Sequence, residues 1–164
     1  MLAPPPPSPP PAGAGDAAVL ASARLLQRAD PGSDTESLLR GKNLGLVCDS
    51  ETGADAILFR EAAAALGASV SHIRPELAPP GGATGNGPLR AARVLGRLYD
   101  GIECQGLVPA LVRQLARAAG VPVFDGLATA AHPSARLAQE LPGDAPLETE
   151  RRLIVQAMLL IELR

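Results

Sequence analysis

The feature that most constrains this chain is the way short apolar runs and helical patterns take turns along it. Residues 44–48 (LGLVC) form an apolar run too short for a helix of ordinary length. A helical pattern follows over 54–66 and stops at Gly67, a residue suited to the turn that closes a helix. Residues 69–73 then read as a second strand, 89–99 as a helix, 101–104 as a strand, 107–119 as a helix and 121–124 as a strand. This order predicts an α/β fold: a doubly wound parallel four-stranded sheet with right-handed crossovers and helices on both faces. A helix over 16–28, carried by Val19, Leu20, Leu25 and Leu26, comes before the sheet. After it, 132–141 reads as helical, with Pro133 tolerated only in the first turn. A break at 142–146 leads to a long last helix, 147–163, expected to close the fold.

At 164 residues the chain has room for one such domain with a real core. Residues 1–15 (MLAPPPPSPPPAGAG) lack the basic start and apolar run of a signal peptide and are expected to be a disordered tail. A polyproline stretch can also dock on aromatic grooves. We therefore divide the chain into that tail, a domain over 16–146, and a helix over 147–164 that packs back on it. Residues 78–88 are rich in Gly and Pro and are expected to be loop. With one Tyr, two Phe and no Trp, the core must be built from small aliphatics. A net charge of −2 with no basic block argues against nucleic acid as a partner. No apolar run approaches the roughly 18 residues of a membrane span, so a cytoplasmic protein with no membrane partner is expected. Cys48 and Cys104 make neither a disulfide framework nor a metal-ligand spacing, and are expected to act as small hydrophobes.

Ligands of such sheets bind outside the carboxyl ends of the strands. The stretches to watch are 49–56, 105–106 and 125–135. There and around them the residues become specific. ARVLGRLYDGIE (92–103), AGVPVFDGL (119–127) and the pair His132–Pro133 resemble ornithine carbamoyltransferases, most closely the bacterial catabolic type. LRGKNLGLVCD and FREAAAALGASVSHI resemble the first strand of that family and its following helix and second strand, so the likeness runs from about residue 39 to 141. It implies an amino-terminal, carbamoyl-phosphate-binding domain. LETERRLIVQAMLLIEL is similar to the carboxy-terminal helix of the family, which implies that the ornithine-binding domain between the two is missing.

The resemblance also implies what the site has lost. Family members grip carbamoyl phosphate with Ser-Thr-Arg-Thr-Arg after the first strand, joining a helix amino terminus to bidentate arginines. Thr52, Gly53, Ala54, Asp55 and Ala56 match it here, without either arginine. A third arginine, in the family's Tyr-Arg-Gly, is matched by Gln105 within Cys104–Gln105–Gly106. The family's His-Pro-x-Gln keeps His132 and Pro133, but Ala135 stands where the glutamine belongs. Hydrogen bonds to charged groups are worth about 1.5–3 kcal/mol each, so three lost arginines remove roughly 4–9 kcal/mol if the terms add. That corresponds to roughly 3–6 orders of magnitude in affinity. Asp49, Glu51, Asp55 and Asp125 add negative charge to the mouth, and Asp55 is placed to satisfy the helix amino terminus itself.

Thr52, Gly53, Gln105 and His132 are therefore the remaining ligand-binding positions, with His132 the one catalytic candidate and no cofactor or metal expected. Each has a plain structural explanation as well: Thr52 and Gly53 as a turn, His132 as a helix-start residue. His72 shows no partner in the sequence, and Arg90, Arg93 and Arg97 read as a solvated helix face. Three functions are open at this point. One is a non-catalytic oligomerising or regulatory partner in arginine and ornithine metabolism, as a homotrimer or with an intact transcarbamylase. Another is a residual carbamoyltransferase, making citrulline from carbamoyl phosphate and ornithine, completed by another chain. The third is a small-ligand binding module using the acidic rim for a cation or amine.

Overall fold

The computed structural model describes residues 15–30, 32–77 and 87–164. Four strands, β1 (Asn43–Val47), β2 (Ser69–Ile73), β3 (Gly101–Cys104) and β4 (Val123–Asp125), form one sheet in the order β2-β1-β3-β4. Every neighbouring pair is parallel. The α/β fold expected from the alternation is the one found. Leu44, Leu46 and Phe124 point to one face, where they pack with Phe59 and Ala63 of α2 (Ala54–Ala64) and Leu159 of α5 (Leu147–Leu163). Val47, Ile102 and Cys104 point to the other, against α3 (Gly87–Leu98) and α4 (Pro109–Ala119). The alternation follows from the two-residue period of a strand. A first helix, α1 (Asp16–Arg28), lies outside α5, and the two share a smaller core with Leu137 and Ala138.

Small residues let these layers approach closely. A Cβ on Gly96 of α3 would sit 1.7 Å from the Ala119 carbonyl oxygen of α4, so that crossing tolerates no side chain there. Gly67 closes α2 at φ +87°, and a Cβ on it would meet the Glu36 carbonyl oxygen at 2.0 Å. The final helix does what its sequence pattern foretold: α5 packs on α1, α2 and the 133–140 segment.

Several boundaries differ from the expectation for local reasons. Helix α4 begins at Pro109 because proline fits the first turn and Val108 is still extended. Strand β4 is Val123–Asp125 rather than 121–124; Val121 precedes Pro122, whose carbonyl nevertheless accepts from Ile102. The helical segment expected over 132–141 is a 3-10 helix, Pro133–Glu140, tighter than an α-helix. The expected tail lies outside the described residues apart from Gly15, as does most of the 78–88 loop; Gly87 and Pro88 already belong to α3. The Arg90, Arg93 and Arg97 stripe is exposed, as a solvated face would be.

Candidate functional site

The chain passes from β1 through α2 to β2 on one side, then returns through α3 to β3 on the other side of β1. The carboxyl ends of β1 and β3 therefore flank the switch point of the sheet, where a crevice forms in folds of this kind. Val47 pairs with Cys104 in register, which sets the 48–53 turn beside Gln105. Thr52, Gly53 and Gln105 thus share one mouth. His132 stands off the end of β4, where Asp125 is its charged neighbour.

The mouth is occupied by the protein's own groups. Ser50 Oγ and Thr52 Oγ1 lie 2.9 Å apart, and the Thr52 N–H donates to Ser50 Oγ at 3.3 Å. Gly53 is the N-cap of α2, with no side chain capping the helix. Gln105 Nε2 donates to the Asp55 carbonyl oxygen at 3.1 Å, so the amide proposed as a ligand donor ties β3 to the first turn of α2. Asp55 does not cap its helix as the sequence suggested. Its Oδ1 lies 3.8 Å from Arg151 Nη2 of α5, which also donates to the Ala128 carbonyl oxygen at 2.7 Å. The carboxylate faces a cation from the last helix. Arg151 is the site residue that sequence reasoning missed. Its signal was present as the Arg151–Arg152 pair in the first turns of the last helix, but only the packing of α5 shows which arginine turns inward. Arg151 is less exposed than Arg152, at 23% against 40% of the side chain.

Glu51, a second acid of the rim, is also engaged. Glu51 accepts from Arg60 Nη2 at 3.0 Å, and that guanidinium holds its carboxyl below the usual range. His72 has the partner that the sequence did not reveal: its Nε2 lies 2.7 Å from the Cys48 carbonyl oxygen, and its Nδ1 is 3.8 Å from Glu51. The expected acidic rim is thus partly neutralised by Arg60 and Arg151, which weakens it as a cation site.

Two groups below the mouth are shifted by burial. Cys104 is buried and its thiol is pushed up to about 12, with Glu103 and Asp125 adding to the effect. Both cysteines are free and buried, as expected of small hydrophobes. Glu103 of β3 is fully buried, two residues before Gln105. Its Oε2 accepts from the Leu127 N–H at 3.1 Å, while Oε1 has no hydrogen-bond partner. Burial drives this carboxyl well above the ordinary range; the Leu127 N–H opposes the shift and Asp125 reinforces it. Glu103 therefore holds the turn that presents Ala128 to Arg151. His132 lies at the start of the 3-10 segment, as its structural explanation required, and accepts from the Ser134 N–H at 3.2 Å. Its burial lowers its basicity, and Asp125 works against that.

Comparison with known proteins decides the ancestry. No family model matches the chain. A relative named ornithine carbamoyltransferase from Haemophilus influenzae strain PittGG is 38% identical over 123 residues, 75% of this chain and 36% of that protein. One of the same name from Cutibacterium acnes is 41% identical over 108 residues, 65% of this chain and 31% of that protein. The solved ornithine carbamoyltransferase of Pyrococcus furiosus superposes with a TM-score of 0.62 at 27% identity, covering 76% of this chain and 39% of that one. The chain belongs to the ornithine carbamoyltransferase family. It spans about a third of the length of the curated relatives it matches, and the part it spans is the α/β domain described above. Among the described residues, no helix of this family member is long and apolar enough to cross a membrane.

Proposed function

We propose that this carbamoyltransferase-type domain is non-catalytic and acts as an oligomerising or regulatory partner in arginine and ornithine metabolism. The observation that carries the reading is the internal ion pair at the mouth. Asp55 meets Arg151 where an anionic substrate would need the cation for itself. The three positions that the resemblance fills with arginine are Ala54, Ala56 and Gln105, and the Gln105 amide is already used on Asp55. Carbamoyl transfer depends on fixed positive groups that stabilise developing charge. Here Arg151 is shared between a carboxylate and a backbone carbonyl. The resemblance of α5 to the family's carboxy-terminal helix, which would leave no ornithine-binding domain between it and the 133–140 segment, agrees with this reading. The surface that serves assembly would then be the retained activity, as a homotrimer or beside an intact transcarbamylase.

A residual carbamoyltransferase completed by another chain is the alternative. Arg151 is the observation in its favour, because it brings one cation back to the mouth. Size-exclusion chromatography with light scattering separates the readings when run on the protein alone and mixed with an intact ornithine carbamoyltransferase. Self-association of the protein alone, or its co-elution with the intact enzyme, with no citrulline formed from carbamoyl phosphate and ornithine beyond that of the intact enzyme, supports the proposal. This chain eluting as a strict monomer in both samples would sink it.

A further inference from the structure

Nδ1 of His132 meets two groups of a single residue. The Ser134 backbone N–H donates to it at 3.2 Å, and Ser134 Oγ lies 2.7 Å away. A backbone N–H can only donate, so Nδ1 must offer its lone pair and carry no proton. In a neutral imidazole the proton then resides on Nε2. The Ser134 hydroxyl, free to rotate, donates to the same lone pair. Ser134 is 7% exposed, so water does not replace it at the ring.

We infer that Ser134 is a positioning residue that holds His132 as the neutral Nε2–H tautomer, making the ring a fixed hydrogen-bond donor for a ligand that presents an acceptor oxygen. The ring's single lone pair is spent within its own 3-10 turn, which removes His132 as a general base and as a metal ligand through Nδ1. Protonating the ring would set a proton against the Ser134 N–H and sacrifice that bond. Asp125 is the charged group beside the ring and favours the cation, while burial opposes it. Ser134 itself is too buried to serve as a nucleophile, although it touches an imidazole. The inference concerns the unliganded ring and holds whether or not the domain catalyses.

The test is a long-range proton–nitrogen correlation spectrum of the full-length, nitrogen-15-labelled chain. His72 and His132 are its two histidines, so His72→Gln assigns the signals. His132 is expected to show the Nε2–H pattern alone. Ser134→Ala keeps the backbone N–H and is expected to keep the Nε2–H pattern, while losing the hydroxyl that donates to the neutral ring moves the titration midpoint upward; the conservative Ser134→Thr is expected to restore the midpoint. An Nδ1–H pattern or a mixture in the unmodified protein overturns the inference, even if Ser134→Ala fails to fold. A Ser134→Ala variant with an unchanged midpoint overturns it as well.

Discussion

Replacing Glu103 by glutamine changes one proton in the deepest polar position beneath the mouth. In the unfolded chain the carboxyl titrates near 4.5, whereas burial keeps it protonated to a much higher pH in the fold. Above pH 4.5 the folded chain therefore holds one proton more than the unfolded chain. Stability from this group is complete below that value and falls as pH rises, by about 1.4 kcal/mol per unit, until the folded carboxyl itself ionises. For a chain of this size that is about 3–6 °C in Tm per pH unit. His132 works in the opposite sense: its lowered basicity gives stability that is present above its unfolded value and lost as pH falls. Subtracting the two proteins cancels that contribution.

Glu103→Gln keeps an oxygen for the Leu127 N–H but places an amide N–H where Oε1 has no partner. That costs about 1–3 kcal/mol at every pH. The variant is thus expected to be the less stable protein near pH 4.5 and to overtake the wild type one to two units higher, as the flatter curve crosses the steeper one. Calorimetric Tm values across that range check it. Curves that stay parallel would show that Glu103 does not carry a raised pKa, and would refute the reasoning.

Gly96→Ala is expected to cost about 3 kcal/mol or more, because the new methyl meets backbone rather than a movable side chain; urea unfolding measures it, and a loss below 1 kcal/mol would mean that α3 and α4 part easily. Asp55→Ala frees Arg151 and removes a negative charge from the first turn of α2. Inorganic phosphate should then bind about tenfold more tightly, a gain of about 1.4 kcal/mol. Isothermal calorimetry that finds no difference between the two proteins would remove Asp55 as the internal occupant of the mouth.

Much of the fold was legible because its signals are local and periodic. The LGLVC run, the 101–104 strand and the 147–163 helix follow from apolar spacing alone, and the observed α5 spans Leu147–Leu163. The 133–140 segment was legible as helical but not in type, because Pro133 and a few apolar residues do not distinguish a 3-10 helix from an α-helix. At the site, absence was easier to read than presence. Ala54, Ala56 and Gln105 stand where the resemblance requires arginine, and no structure is needed to see it. The contacts that fill the mouth link distant stretches of the chain: Asp55 with Arg151, Gln105 with Asp55, His72 with Cys48. No spacing rule joins residues so far apart. Asp55 was placed correctly in the first turn, yet its partner came from the other end of the domain.

Thermal unfolding with millimolar carbamoyl phosphate, and with plain phosphate as the control, tests most directly whether the mouth has lost its ligand. A ligand at one hundred times its Kd adds about 2.7 kcal/mol, or about 5–11 °C in Tm for a chain of this size. No rise beyond that given by phosphate is the predicted result. A rise specific to carbamoyl phosphate would mean that Arg151 and His132 still form a working site, and would contradict the non-catalytic reading.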